Sequence, residues 1–419
     1  MEIALVNPII PPFITFLPKY PWCTVQLHTF AKILTMKYLG LLLSLLTLPI
    51  FAQDKVTNAE ESNYEFEKIV HLDATPVLSQ GNSGTCWSFS GMSFFESELL
   101  RMGKKETILS EMFIVRKAYE KKAEIYVRLD GKTNFGQGGE FHDIPAVIKE
   151  FGVVPQSAYD GLNYGTEKHN HSEMYKVLKG AMSGVIQQMN SRGFNGLTSA
   201  WKDAISGILD AYLGQDVTSF EFEGKEYTPK SFAEFLGLDM DNYVSLTSFT
   251  HQEMNAPFQL AIPDNWSRQD AYNVSLDEMY NATVTALQNG YTVGWTADVS
   301  EDGFSHGRGL AINPKDADLL DAEKDNAFLN PSEEVKVTAE LRQEGYENKT
   351  TQDDHLMHIV GLYKDQNGTN YFLVKNSWGT TNHPEGFLFV SESYFKMKTI
   401  YVYTHKDALA KGMQKQLGL

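Results

Sequence analysis

The chain reads Gln80-Gly-Asn-Ser-Gly-Thr-Cys86-Trp87 immediately before a predicted helix, and this stretch carries the strongest chemical signal in the sequence. Large apolar side chains recur from Trp87 to Met102 and Gly103 follows, a pattern typical of a buried helix with a glycine stop. A cysteine in the first turn of a helix lies near the positive end of the helix dipole, which lowers the thiol pKa and favours a nucleophilic thiolate. Cys86 is therefore a candidate nucleophile, although a lone cysteine is more often an inert buried thiol.

Two further motifs, near the C-terminal end, offer the partners that a thiol nucleophile needs. His358 stands in Asp353-Asp-His-Leu-Met-His358-Ile-Val-Gly361, before a strand-like run, and His355 is a competitor three residues earlier. Asn376 stands in Lys375-Asn376-Ser-Trp378-Gly379, at the end of another predicted strand. An amide oxygen there can accept a hydrogen bond from an imidazole N–H and fix its tautomer, and Trp378 would shield that bond from water. Each motif alone is compatible with an ordinary structural role.

The order Cys86, His358, Asn376 resembles that of the papain-like cysteine peptidases. Gln80, six residues before the cysteine, strengthens the resemblance. The resemblance implies a nucleophilic Cys86 with His358 as its ion-pair partner and later general acid, and it implies that Asn376 orients this histidine. The Gln80 side chain and the Cys86 backbone N–H would form the oxyanion hole. The substrate-binding residues that the resemblance predicts are Gly138, Gly139, Met357 and Trp378.

One departure from the papain pattern indicates which branch of the papain-like peptidases the chain resembles. The papain-type histidine and asparagine are expected ~130–150 residues after the cysteine, whereas His358 follows Cys86 by far more, and residues 161–345 account for the excess. Such an insertion resembles the bleomycin hydrolase/aminopeptidase C branch, as does Ser83, where secreted papain relatives carry a disulfide cysteine. In that branch the C-terminal tail enters the cleft and restricts it to exopeptidase work. Here the tail after Val402 is predicted either to reach the cleft or to be a frayed terminus.

The predicted fold class is α+β, because helical patterns come first and strand patterns last. By resemblance this is the papain-like two-lobe fold, a helical lobe plus a β-barrel-like lobe with a large insertion between the cysteine and the histidine. The helical lobe with the nucleophile is predicted over residues 71–160, and the β lobe with the histidine, the asparagine and the tail over 346–419. The insertion, residues 161–345, is predicted to be mostly helical. Residues 53–70 are predicted to be an extended, poorly anchored lead.

The N-terminal region carries an export signal. Residues 36–52 have a short basic start, an apolar run and a final Ala52, which is typical of a secretory signal peptide. The apolar run is too short to span a membrane, so no stable membrane anchor is expected. Residues 1–35, which include Cys23, are predicted to be disordered or a gene-start artefact, with translation beginning at Met36 rather than Met1. The signal predicts export to a bacterial periplasm or the extracellular space, since a secreted eukaryotic relative would usually keep disulfides.

Composition excludes several classes of partner and cofactor. The 419 residues carry 53 Asp and Glu against 36 Lys and Arg, a formal net charge of −17, which argues against nucleic-acid binding. Two cysteines exclude a disulfide framework and a cysteine-rich zinc site. The histidines follow no metal-binding pattern, since His169, His171, His355 and His383, for example, are scattered, so neither a metal nor another cofactor is predicted. The sequence leaves open whether the protein forms a homo-oligomer.

These motifs predict a secreted papain-like cysteine peptidase that hydrolyses peptide bonds through a Cys86 thioacyl intermediate. Its expected specificity is that of an aminopeptidase resembling bleomycin hydrolase, with peptides as substrates. Two alternatives stay open: an endopeptidase with the same triad, and a non-catalytic binding protein on the same scaffold. The second is disfavoured because dead relatives usually lose the nucleophile, whereas Cys86 is present.

Overall fold

A computed structural model describes residues 56–321 and 326–419 of the chain. The predicted signal peptide at 36–52, the segment 1–35 and Cys23 lie outside the described residues. The helices are α1 (Cys86–Arg101), α2 (Glu111–Arg128), α3 (Asp143–Phe151), α4 (Ser172–Met189), α5 (Ala200–Leu213), α6 (Pro229–Leu236), α7 (Leu276–Gln288), α8 (Asn326–Leu329), α9 (Ala339–Asn348), α10 (Glu392–Lys398) and α11 (Lys411–Leu417).

Strands are spread along the same part of the chain. They are β1 (Phe66–His71), β2 (Phe220–Phe222), β3 (Lys225–Tyr227), β4 (Tyr243–Thr247), β5 (Pro257–Gln259), β6 (Asp270–Asn273), β7 (Val293–Ala297), β8 (Phe304–Ser305), β9 (Leu310–Ala311), β10 (His355–Asp365), β11 (Asn370–Lys375), β12 (Phe387–Ser391) and β13 (Thr399–His405). The mixture of helices and a large sheet confirms the predicted α+β class.

Helix α1 is the axis of the helical core. Its side chains are buried from Cys86 to Leu99, because the helix is apolar or small almost all round and is packed on every side. Helix α2 lies beside it. The pair Ser110-Glu111 predicts a helix start, and the structure agrees, since the Ser110 side chain accepts a hydrogen bond from the Phe113 N–H at 3.0 Å. This core presents the first turn of α1 to the sheet.

Eleven strands form one mixed sheet in the order β5-β6-β4-β13-β7-β10-β11-β12-β9-β8, with β1 also paired to β10. The long strand β10 is central, because it pairs antiparallel with β7, β11 and β1. Helix α1 packs on β10: Ser90 Oγ donates to the Leu356 carbonyl at 2.6 Å. The contact between α1 and β10 therefore joins the helical core to the sheet and positions the candidate site.

The region 161–345 is less helical than the sequence suggests. Besides helices α4 to α8 and most of α9, it supplies β4, β5, β6, β7, β8 and β9 to the main sheet. Strands β4 and β7 flank β13 on both sides, so the region is woven into the β lobe rather than appended to it. The apolar run Tyr291–Thr296 predicts a strand and coincides with β7, whereas the other strands show no clear pattern. Strands β4 and β9 are buried on both faces and so lack alternation, while β5 and β8 have only three and two residues.

The predicted lead is better anchored than expected. Tyr64 is buried and its hydroxyl donates to the Ala327 carbonyl at 2.9 Å, while Phe66 stacks on Phe389. Strand β1 then pairs with the second half of β10. The expectation of a poorly anchored segment is therefore wrong for the described part of the lead. The segment is polar overall, but two of its aromatic side chains, Tyr64 and Phe66, are buried.

Among residues 56–321 and 326–419, no helix has the length and apolar character that a membrane crossing requires.

Candidate active site

The Cys86 thiol lies at the first position of α1, and its side chain is almost entirely buried. Gln137 fixes the preceding loop: its Oε1 accepts from the Gly84 N–H at 2.8 Å, and its carbonyl accepts from the Trp87 indole at 3.0 Å. A hydrogen bond from the Leu356 backbone reaches the sulfur, so the nucleophile lies beside the start of β10. Helix α1 therefore directs its positive end at the sulfur.

The loop that carries Gln80 is tied to the segment after β11. The Gln80 backbone N–H donates to the Ser377 carbonyl at 2.9 Å, and Ser377 Oγ donates to Gln80 Oε1 at 2.6 Å. Gln80 Nε2 donates to the Ser83 carbonyl at 2.6 Å. An amide nitrogen has two N–H groups, so one remains for an oxyanion. These contacts bring Gln80 and Asn376 to the same cleft although almost 300 residues separate them.

Asn376 is hydrogen-bonded to His355. Its Oδ1 lies 2.8 Å from His355 Nε2, and the Trp378 ring lies over the imidazole with centroids 4.6 Å apart. The sequence predicted that Asn376 orients His358, and this pairing is wrong. The shielding of the imidazole–amide bond by Trp378 is as expected, but the imidazole is that of His355.

His358 lies elsewhere, in the packing between α1 and the sheet. Its Nδ1 is 2.9 Å from Ser93 Oγ, its ring edge meets Phe94, and it has no exposed surface. The two histidines are three residues apart on β10, an odd separation, so the pleat directs them to opposite faces of the sheet. Choosing between them required the register of the strand, which the sequence does not show.

The predicted substrate-binding residues have different surroundings. A Cβ at Gly138 would overlap the Asp264 carboxylate, and one at Gly139 would touch the Trp87 ring at 3.0 Å, so a side chain at either position would require its neighbour to move. Trp378 keeps 38% of its surface exposed and so can contact a ligand. Met357 is fully buried in the sheet core, and the structure does not bring it to the cleft.

Burial favours neutral forms of the two reacting groups. It raises the pKa of the Cys86 thiol to about 12, against a smaller opposite effect of the Leu356 hydrogen bond. Burial likewise lowers the pKa of His355 to about 4, although the bond to Asn376 acts in the opposite direction. Both shifts oppose the thiolate–imidazolium ion pair expected from the sequence.

Three groups near the site were not singled out in the sequence. His306 Nδ1 lies 3.2 Å from Asn376 Nδ2, so it accepts from the amide and fixes its orientation. Glu140, directly after the glycine pair, accepts from the Tyr401 hydroxyl at 2.7 Å and contacts Asp353. Burial raises the pKa of Asp353 to about 7. His306 lies in the region 161–345, where the sequence shows no catalytic motif. Glu140 follows the glycine pair and Asp353 lies two residues before His355, so their positions beside motifs were the available signal.

In the part of the chain that the structure describes, no three or more His, Cys, Asp or Glu side chains are grouped so that they could hold a metal ion.

Comparisons with known proteins fit this arrangement. A sequence model of the Peptidase C1-like family matches residues 49–418. The chain is 23% identical over 372 residues to aminopeptidase C of Listeria monocytogenes, covering 80% of this chain and 81% of that protein. It is 24% identical over 388 residues to aminopeptidase G of Lactobacillus delbrueckii subsp. lactis, covering 83% and 84%. The solved structure of PepW from Lactobacillus rhamnosis HN001 superposes with a TM-score of 0.67 at 17% identity, covering 95% of each chain.

The structural similarity and the family match confirm the papain-like fold. The resemblance to the aminopeptidase C branch is confirmed too, since relatives along most of the chain carry that name. The predicted enzyme class, a cysteine-type peptidase, is confirmed with it. The chain, matched over nearly all of its described residues, belongs to the Peptidase C1-like family.

Proposed function

We propose that the protein is a cysteine aminopeptidase in which Cys86 is the nucleophile and His355, not His358, is its acid–base partner. The observation that carries this proposal is the 2.8 Å contact between His355 Nε2 and Asn376 Oδ1. The next residue, Leu356, forms the backbone hydrogen bond to the Cys86 sulfur, so His355 lies beside the nucleophile. The amide oxygen accepts from Nε2–H, which leaves Nδ1 as the unprotonated nitrogen. A neutral imidazole of this tautomer is a competent base.

Acylation begins with proton transfer. His355 Nδ1 takes the Cys86 thiol proton as the sulfur attacks the scissile carbonyl carbon, and the positive end of α1 stabilises the developing thiolate. The carbonyl oxygen becomes an oxyanion, to which the Cys86 backbone N–H and the free N–H of Gln80 Nε2 can donate. The imidazolium then gives its proton to the leaving nitrogen, the C–N bond breaks, and a thioester with Cys86 remains.

Deacylation repeats these steps with water. His355 removes a proton from water as the oxygen attacks the thioester carbonyl, and the same donors stabilise the second oxyanion. The C–S bond breaks, the imidazolium returns its proton to the sulfur, and the free acid leaves. Asn376 holds the His355 imidazole in one orientation during both acylation and deacylation, so loss of this contact would lower kcat.

The aminopeptidase specificity has support from the relatives, which are named aminopeptidases. An endopeptidase with the same triad is the competing specificity. The decisive experiment compares aminoacyl coumarylamides with free and blocked N-termini, on the wild type and on Cys86→Ala. Cleavage of the free amines, lost in Cys86→Ala, is the expected result. Cleavage of blocked peptides alone would contradict the aminopeptidase, and equal rates in Cys86→Ala would contradict the mechanism.

We further propose that the protein is exported. The support is the pattern of residues 36–52, with its short basic start, apolar run and small final residue. Expression of the full gene in a Gram-negative host, fractionation and N-terminal sequencing test this proposal. A periplasmic protein that begins at Gln53 is expected, whereas a cytoplasmic protein that keeps residues 36–52 would contradict it.

A further inference from the structure

The loop between β5 and β6 lies against the glycine pair of the cleft. Asn265 holds this loop: its Nδ2 donates to the carbonyls of Leu260 at 3.1 Å and Gln269 at 2.9 Å. Its Oδ1 accepts from His142 Nε2 at 3.0 Å, which ties the loop to the residue before α3. Trp266 is buried beside it. The residue before Asn265 is Asp264, so the position of this side chain is fixed by the loop around it.

The Asp264 carboxylate occupies the space above Gly138. Its Oδ2 stands where a Cβ of that residue would be, and its Oδ1 accepts from Asn134 Nδ2 at 2.6 Å. Within the described residues, Oδ2 accepts no hydrogen bond and neither oxygen forms an ion pair. Burial raises the pKa of this carboxyl, because its charge is partly removed from water. A cation bound at Oδ2 would stabilise the charged carboxylate and so offset the effect of burial.

The nearby cation of the protein, Lys122, makes its hydrogen bonds to backbone carbonyls and not to Asp264. Lys122 is buried, and its ammonium donates to the carbonyls of Gly136 and Gly138. Aromatic rings enclose it, with the Trp266 ring centroid at 5.5 Å and that of Trp87 at 6.0 Å. Gly138 therefore lies beside a carboxylate whose second oxygen accepts a hydrogen bond from none of the described residues.

We propose that Asp264 binds the α-ammonium group of the substrate and, by filling the space above Gly138, limits the acyl side of the cleft to one residue. The inference rests on the proposed aminopeptidase function and names the group that sets its specificity. A free amino terminus supplies the positive charge and the N–H donors that Oδ2 lacks. The Asp264 charge acts on the Cys86 thiol, so the carboxylate lies near the nucleophile, where a longer acyl part would meet it.

The alternative role for Asp264 is structural, as a negative charge near Lys122. The two roles separate in a comparison of leucyl coumarylamide with its des-amino analogue, 4-methylpentanoyl coumarylamide. Removal of an amine-binding group lowers kcat/KM for the amine substrate alone. Removal of a structural charge lowers kcat/KM for both substrates together.

Asp264→Asn is the test variant, since the amide keeps the shape and can still accept from Asn134. Its kcat/KM for the amine substrate is expected to fall about 100-fold, as for a buried charge pair that loses one partner. Its kcat/KM for the des-amino substrate should stay within about 3-fold, since that ligand has no charge to pair. Asp277→Asn, which removes an exposed carboxylate on α7, is the matched control and should change neither.

Gly138→Ala is a second variant, because the added methyl group must displace the Asp264 side chain. It should also reduce the preference for the amine over the des-amino substrate. Equal losses on both substrates in Asp264→Asn, in protein whose thermal unfolding matches the wild type, would overturn the inference. Efficient cleavage of a dipeptidyl coumarylamide as one unit would overturn the one-residue limit. A wild type that cleaves neither leucyl nor other aminoacyl amides would instead refute the proposed function.

Discussion

His355 Nε2 and Asn376 Oδ1 lie 2.8 Å apart, between the first residue of β10 and the residue that follows β11. The two strands are antiparallel neighbours, and His358 pairs in register with Lys375. The strand pairing therefore brings Asn376 beyond His358 along β10, towards His355. Asn376 is held from its other side by His306.

This relationship predicts opposite consequences for two histidine substitutions. His355→Asn should lower kcat/KM by about 10³-fold, because the general base is lost while the fold is kept. His358→Asn should keep kcat/KM within about 10-fold but lower the unfolding free energy by about 1–3 kcal/mol, since the ring fills the buried space beside Ser93. Steady-state kinetics and urea unfolding of both variants check this. A dead, stable His358→Asn would restore the assignment made from the sequence.

Gln80 should matter for turnover more than for binding. Gln80→Ala removes a donor to the oxyanion, so kcat should fall by about 10²–10³-fold with little change in KM. Ser377→Ala is the control, because it removes only the hydrogen bond that holds Gln80 Oε1. Its effect should be smaller, about 10-fold. If Gln80→Ala kept its kcat within about 3-fold, the Cys86 N–H and other donors would have to suffice.

Deletion of residues 411–419 tests the tail. The tail forms α11, whose Leu417 is buried in the same cluster as Leu276 and Met279. Gln416 donates to Glu278 Oε1 at 3.3 Å, so the tail is docked on α7. Its removal should cost stability, about 1.5–3 kcal/mol for Leu417 alone, without a gain in cleavage of N-blocked peptides. A clear rise in endopeptidase activity would show that the tail gates the cleft after all.

Stability should decline as pH rises through neutrality, in part because of Glu111. Burial, helped by the charge of Glu96, raises its pKa from 4.5 to about 8. Between these values the folded protein keeps a proton that the unfolded chain gives up, so the unfolding free energy falls with rising pH. Glu111→Gln should flatten that fall by up to about 1.4 kcal/mol per pH unit. Urea unfolding between pH 5 and 8 measures the slopes, and identical slopes would contradict the assignment.

Much of the fold was predictable where local patterns are strong. The helix predicted from Trp87 to Met102 spans Cys86–Arg101, and the one capped by Ser110 begins at Glu111. Strand β13 (Thr399–His405) was not predicted, and Tyr403–His405 was assigned to the tail. All seven of its residues are buried between β4 and β7, so it shows no alternation of polar and apolar residues.

The reactive groups are recognisable in the sequence alone: a cysteine at a helix start, a glutamine before it, and an asparagine followed two residues later by a tryptophan. These are local features, so spacing along the chain reveals them. Two contacts became known from the folded chain: His355 rather than His358 meets Asn376, and Asp264 fills the space above Gly138. The first depends on the pleat and register of β10, and the second on a loop from the region 161–345. Both are contacts between distant segments, which no local pattern encodes.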